Sequence, residues 1–309
     1  MNLHGLHHVT AITARARENH DFYTRVLGMR LVKKTVNQDD VSAYHLFYAD
    51  GAGSPGTDLT FFDWPAAAET RGTNSIVRTG LRVGSTASLE WWHRHLGPKA
   101  PVIERDGRPV FDFEDPEGQR LSLVVDDAPA AAPWERSSVP LEHQIRGLGP
   151  VALSVRKIAS TDRVLRELLG MELTRTYVWS GRETAVYRCG AADGGAAGEI
   201  HVVSEPDAAA GRPGAGGVHH LALRAKMSDY AWWTRHLAGS GVPNSGPVDR
   251  FWFHSLYFRD PNGILFEIAT DEPGFAADEP LDRLGETLSL PPFLEPRRRE
   301  IEAGLKPLA

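Results

Sequence analysis

The segment Phe22-Tyr-Thr-Arg-Val-Leu-Gly28-Met-Arg-Leu31 returns 142 residues later as Val164-Leu-Arg-Glu-Leu-Leu-Gly170-Met-Glu-Leu173. Outward from it, Trp91-Trp-His-Arg-His-Leu-Gly97 returns as Trp232-Trp-Thr-Arg-His-Leu-Ala238 at an offset of 141, and Glu114-Asp-Pro-Glu-Gly118 as Arg259-Asp-Pro-Asn-Gly263 at 145. Three concordant offsets mark a tandem duplication. Its halves are joined by the Ala/Pro-rich stretch Asp126 to Pro140, which reads as a linker.

Each half divides again. Short apolar strands at Leu6 to Ile12, Ile76 to Val83, Val151 to Val155 and Val218 to Leu223 each precede an amphipathic helix, and β-rich segments follow. The helical patterns stop at Gly28, Gly97 and Gly170, where a left-handed residue can close a helix. The Asp-Pro-x-Gly sequences supply tight turns before the last strand of the even modules. The expectation is an α+β chain of four βαβββ modules forming two open β-barrels. Residues 1–135 would hold the N-terminal pair of modules, 145–275 the C-terminal pair and 276–309 a tail that could close over a site.

Composition narrows the function classes. Among 309 residues, 34 Lys+Arg stand against 40 Asp+Glu, a formal charge of -6, and the one basic run is Arg297 to Arg299. A nucleic-acid partner is not expected. A single cysteine, Cys189, excludes an internal disulfide and a thiolate zinc cluster. The start of the chain lacks a basic and then apolar leader, and no apolar run approaches the roughly 20 residues of a membrane span. The reading is a soluble, cytoplasmic protein with no membrane partner; assembly into a homo-oligomer stays open. Trp91-Trp92 and Trp232-Trp233, repeated in both halves, read as helix packing, and Gly190 to Gly198 as a flexible turn without a phosphate-loop pattern.

Chemistry-bearing residues concentrate at three places. His7-His8 and His219-His220 each open the first strand of a module, and strand alternation lets one member of each pair face a barrel interior. Glu267 lies in Leu265-Phe-Glu-Ile-Ala, an apolar strand in which an uncompensated carboxylate is costly. The duplication supplies a control, since the positions matching Glu267, His220 and His8 are Ser122, Thr79 and Pro150. The scaffold does not itself require the ligand-type residues. His8, His220 and Glu267 are therefore the expected metal ligands, and their meeting requires module one to pair with module four. Two imidazoles and a carboxylate with open positions is the non-heme Fe(II) oxygenase pattern, although Mn(II), Ni(II) and Zn(II) suit the same ligands. Thr10 shares a strand face with His8 and reads as a pocket hydroxyl.

The quoted His pairs, with Leu6-His-His-Val-Thr10, Gly217-Val-His-His-Leu221, Ser255-Leu-Tyr-Phe-Arg259, Leu265 to Phe275, Leu284-Gly-Glu and Leu290-Pro-Pro, carry a family resemblance. Nearly the whole chain resembles the vicinal oxygen chelate superfamily, which includes glyoxalase I, bleomycin resistance proteins and extradiol dioxygenases. Within it, the chain is similar to the hydroquinone-type ring-cleaving dioxygenases. The resemblance implies Fe(II)-dependent cleavage of a small hydroquinone-like aromatic substrate by O2, with the second barrel free of metal. It also inclines Arg250 and Tyr257 toward substrate contact, against readings as a loop salt bridge and a packing residue. His219 and His7 stand between catalytic or substrate-binding support and a structural role. A glyoxalase-type lyase or isomerase, expected to use a second carboxylate, and a metal-free small-molecule binding protein are the alternative readings.

Overall fold

The computed structural model describes every residue except 98–99, 129–131, 191 and 309, and leaves the side chains of 192–194 undescribed. The middle of the Asp126 to Pro140 linker and the beginning of the Gly190 to Gly198 stretch thus lie outside the described residues. Module one contains β1 (Leu6–Thr13), α1 (Ala16–Asp21), β2 (Arg30–Val36), β3 (Tyr44–Ala49) and β4 (Asp58–Asp63). Module two contains β5 (Ser75–Val83), α2 (Thr86–Leu96), β6 (Val102–Arg105), β7 (Arg108–Glu114) and β8 (Arg120–Val125). Module three follows with β9 (Leu148–Val155), α3 (Ile158–Arg163), β10 (Glu172–Trp179), β11 (Arg182–Arg188) and β12 (Glu199–Ser204). The fourth has β13 (Val218–Ala225), α4 (Met227–Gly239), β14 (Val248–Asp249), β15 (His254–Arg259) and β16 (Leu265–Thr270). The fold is four βαβββ modules in two curled eight-stranded sheets.

The repeated segment explains a local feature. In modules one and three the helix passes into a π-type turn, Phe22–Val26 and Val164–Leu168, and the chain then reverses at Gly28 and Gly170. Both glycines have φ near +68°, at 67° and 68°, which side chains rarely adopt. At Gly28 a Cβ would also collide with Ser137 and Val139 of the linker.

Strand order fixes where a site can form. One sheet runs β14-β15-β16-β13-β1-β4-β3-β2 and the other β10-β11-β12-β9-β5-β8-β7-β6. Module one thus pairs with module four, and module two with module three. Within a module the first strand lies parallel to the last, as β1 does to β4, so its other edge needs a partner. The opposite module supplies it through the antiparallel seams β1–β13 and β5–β9. All eight residues of β1 are buried, and one apolar core runs through both sheets.

The paired tryptophans pack identically in the even modules. Trp92 and Trp233 are fully buried, while Trp91 stacks on His95 and Trp232 on His236, each at 4.5 Å. Beyond β16 the chain lies along β2. The ammonium of Lys33, wholly buried, meets Asp278 at 2.8 Å and also Glu279, and Leu290, Leu294 and Ile301 of helix α5 (Arg298–Gly304) and its approach cover Val36. No described helix is long and apolar enough to cross a membrane.

Candidate metal centre

Strands β16, β13 and β1 are consecutive neighbours, and their register brings three polar side chains to one point. His8 pairs with Ala222, and Ala222 pairs with Glu267, so His8 and Glu267 flank a methyl group that leaves room between them. His220 shares the face of Ala222, two residues away. The His8 and His220 Nε2 atoms lie 3.1 and 2.9 Å from Glu267 Oε2 and 3.2 Å from each other. All three side chains are buried.

The seam is irregular at both histidine pairs. The β1–β13 register shifts between Leu6 and His8 and again between Thr10 and Ala11, which leaves His7 and His219 without cross-strand partners. These are β-bulges, which re-aim side chains beside them. His7 is thereby turned so that its Nε2 lies 3.1 Å from the Thr270 carbonyl and its Nδ1 2.9 Å from His8 Nδ1. A carbonyl only accepts, so His7 carries its proton on Nε2. Burial first, then His8, lowers its pKa from 6.5 to about 3, so the ring is neutral and Nδ1 is a bare acceptor. His8 must then donate through Nδ1, which leaves its Nε2, on the Glu267 side, as the ligand atom. His219 and His220 repeat the Nδ1–Nδ1 contact at 2.8 Å, and a His220 donating through Nδ1 likewise presents a lone pair.

Glu267 completes the arrangement. The Ser255 hydroxyl donates to Oε1 at 2.5 Å, whereas Oε2 is buried without a hydrogen-bond donor. Burial opposes ionisation of this carboxyl, but the adjoining His8 and His220 rings hold it well below its usual range. Two imidazole nitrogens and a carboxylate oxygen lie within 3.2 Å of one another, a cluster that ring protons hold together in the metal-free site and in which a divalent cation can take their place. The donor set fits a mononuclear metal.

Above it lies a cavity of about 40 Å³ lined by His8, His45, Phe62, His220, Arg250 and Tyr257, with Asp39 at its mouth. Tyr257 is the cross-strand partner of Glu267, its ring edge-on to His220 at 5.8 Å. Burial, then Glu267, raises its pKa, so it stays a phenol and a donor. Arg250 Nε lies 3.4 Å from the Tyr257 hydroxyl and Nη2 2.9 Å from Asp39, which is largely exposed. Thr10 does not line this cavity: its hydroxyl is enclosed, 3.0 Å from His220 Nε2 and 2.8 Å from Thr60. His219 faces away toward Phe62, Trp64 and a separate cleft shared with Arg259. His254 lies apart, beside Tyr230.

Two contributors escaped the sequence reading. His45, on β3, hydrogen-bonds Thr60 at 3.0 Å and projects into the cavity, and burial holds its pKa well below 6.5. It was hidden in the apolar run Tyr44-His-Leu-Phe-Tyr, where one histidine reads as core. Asp39 sits in the β2–β3 loop and carries no signal at all.

In the other sheet, Ser122 stands at the position of Glu267 and donates to Asp112 at 2.6 Å. Asp106, Glu199 and His201 also converge there, but Glu199 is already met by Arg108 at 2.7 Å and Arg175 at 2.9 Å, so its charge is answered without a metal.

Comparison with known proteins converges on one lineage. The profile of the Glyoxalase/Bleomycin resistance protein/Dioxygenase superfamily matches residues 5–71 and 147–268. The chain is 47% identical over its full length to all of MhqA of Bacillus subtilis (strain 168), a ring-cleaving dioxygenase candidate. It is 31% identical to the chlorohydroquinone/hydroquinone 1,2-dioxygenase of Sphingobium indicum, covering 96% of this chain and 94% of that protein. A crystal structure of a dioxygenase candidate from Bacillus subtilis superposes with a TM-score of 0.91 at 37% identity, over 99% of this chain and 97% of that one.

Proposed function

Because the chain belongs to the Glyoxalase/Bleomycin resistance protein/Dioxygenase superfamily, we propose that it is a ring-cleaving dioxygenase acting on a hydroquinone-like phenol with Fe(II) held by His8, His220 and Glu267. The observation that carries this reading is the bare Oε2 of Glu267 between two imidazole nitrogens. The relatives, ring-cleaving dioxygenases by name, support the reaction class. Held by these three residues, Fe(II) would supply Lewis acidity toward a phenol oxygen and the redox chemistry that reaction with dioxygen requires.

The remaining steps belong to the chain. His7 and Ser255 hold His8 and Glu267 in donor-ready orientation. A para-diphenol cannot bring both oxygens to one ion, so it is anchored through one. Its other hydroxyl then needs a protein partner, or burial leaves it unsatisfied at a cost of about 1 to 3 kcal/mol. Beside Asn37, Gln38 and Asp39, the polar groups that line the cavity include Arg250, Tyr257 and His45: a cation, a phenol held protonated and an imidazole that burial keeps neutral and able to accept a hydrogen bond.

A cavity of about 40 Å³ is smaller than the roughly 150 Å³ that holds a benzene ring, so the substrate must displace part of its lining. Arg250 is the movable part, since it leans on Tyr257 and is held at the mouth by exposed Asp39. Asp39, already paired with Arg250, is the one acid besides Glu267 near this cavity among the described residues, which leaves a glyoxalase-type reaction without its second interior carboxylate. The test is oxygen uptake by Fe(II)-loaded protein. Consumption with hydroquinone in preference to catechol, with opening of the ring, is expected; a preference for catechol, or full activity with Zn(II) alone, contradicts the proposal.

A further inference from the structure

A second, much roomier cavity lies in the other sheet. It measures about 830 Å³, inside the range of small-molecule sites, and opens between β6–β8 and β10–β12. By the duplication its floor corresponds to the metal centre: Arg105 and Asp112, with Ser122 hydrogen-bonded behind Asp112, match Arg250, Tyr257 and Glu267 at the offset of 145, and Asp112 pairs across the sheet with Ser122 as Tyr257 does with Glu267. The metal-binding chemistry has been replaced by another kind.

That floor carries one cation more than it has anions. Arg105 grips both oxygens of Asp112, at 3.1 and 2.5 Å, and Arg78 approaches the same carboxylate at 3.4 Å. Two guanidiniums therefore share one carboxylate. The Arg105 side chain is 91% buried by its 9% exposure, yet its Nε–H has no acceptor. An unpaired buried donor on a cation is costly unless something supplies an acceptor. The other charges around the cavity are answered locally: Arg182 by Glu205 at 2.9 Å, Arg120 by Glu69 at 3.0 Å, Arg71 by Glu114 at 2.8 Å, and Asp106 by Arg175. Glu104 lies exposed at the rim. Trp179, over which the Arg105 guanidinium sits at 4.1 Å, and Tyr177 provide an aromatic wall.

We propose that this second cavity is a binding site for a small monoanionic carboxylate with a flat, conjugated body, its carboxylate received by Arg105 and Arg78 and its body laid along Trp179 and Tyr177. One residual positive charge suits a monoanion. A carboxylate oxygen can accept from the Arg105 Nε–H, which Asp112 leaves without a partner, and from Arg78. The volume far exceeds what an inorganic ion fills. The inference does not depend on the reading of the metal centre.

The test uses calorimetric titration of the full chain at low salt with benzoate, its neutral isostere benzamide, and sulfate. Saturable benzoate binding at one site per chain is expected, with benzamide and sulfate each at least about tenfold weaker, as loss of a charge-assisted hydrogen bond or of the aromatic contact implies. Binding should be unchanged in Glu267→Gln and at least tenfold weaker in Arg105→Met. Arg78→Met serves as a second variant should Arg105→Met lose its circular dichroism signal, and it too should weaken benzoate. No saturable benzoate binding, equal affinity for benzamide or sulfate, loss of binding in Glu267→Gln, or unaltered binding in the arginine variants would overturn the proposal.

Discussion

Nδ1 of His7 lies 2.9 Å from Nδ1 of His8, and because the Thr270 carbonyl claims the proton of His7, it is His8 that donates across that contact. His7 therefore sets the tautomer of its neighbour without facing the cavity. His7→Phe, which keeps the aromatic packing on Phe253, should lower Fe(II) affinity about ten- to a hundredfold while leaving the fold in place. Anaerobic competition against a chromophoric chelator reads this directly. Unchanged affinity would reduce His7 to a packing residue.

The buried histidines also make a pH prediction for the metal-free protein. His7 and His219 titrate near pH 3 when folded, chiefly through burial, and near 6.5 when unfolded. Between those values the unfolded chain binds protons that the folded chain refuses, so stability falls as pH drops from about 6.5 toward 3, and these groups contribute no slope above 6.5. Urea midpoints measured across this range should fall with pH, and fall less steeply in His7→Phe. Parallel curves would show that His7 is not held neutral.

Arg250 and Tyr257 should separate substrate handling from metal retention. Tyr257→Phe and Arg250→Ala are expected to keep one metal per chain and to lower kcat/KM for hydroquinone roughly ten- to a hundredfold, the loss of one or two positioned hydrogen bonds. Asp39→Ala, which frees the Arg250 guanidinium at the mouth, should shift KM more than kcat. Near-normal kinetics in all three variants would remove the assigned substrate contacts.

Much of this was legible in the sequence because duplication supplies its own control. The offset of Phe22–Leu31 against Val164–Leu173 exposes the modules, and comparison with Ser122, Thr79 and Pro150 separates Glu267, His220 and His8 from what the scaffold needs. Module pairing was inferable only by assuming that these three residues meet; nothing local to β1 or β13 states it. Thr10 shows the limit of strand alternation, which puts it on the face of His8 but cannot see Thr60 closing over it from β4. His45 and Asp39 were missed because their roles arise from distant elements folding onto β3 and the loop before it. The arginine floor around Arg105 escaped notice for a related reason. Arg78 and Arg105 come from different strands of one module, and their common hold on Asp112 exists only in the folded sheet.

The role of Glu267 is tested by the iron content of three proteins loaded anaerobically with Fe(II) and desalted: the wild type, Glu267→Gln and Ser122→Ala, each also assayed for hydroquinone-dependent oxygen uptake. Gln keeps the shape of the Glu267 side chain and removes its charge, while Ser122 occupies the duplicate position. One iron per chain and full turnover are predicted for the wild type and Ser122→Ala, with neither retained in well-folded Glu267→Gln. Iron and turnover surviving in Glu267→Gln, or lost equally in Ser122→Ala, would contradict it.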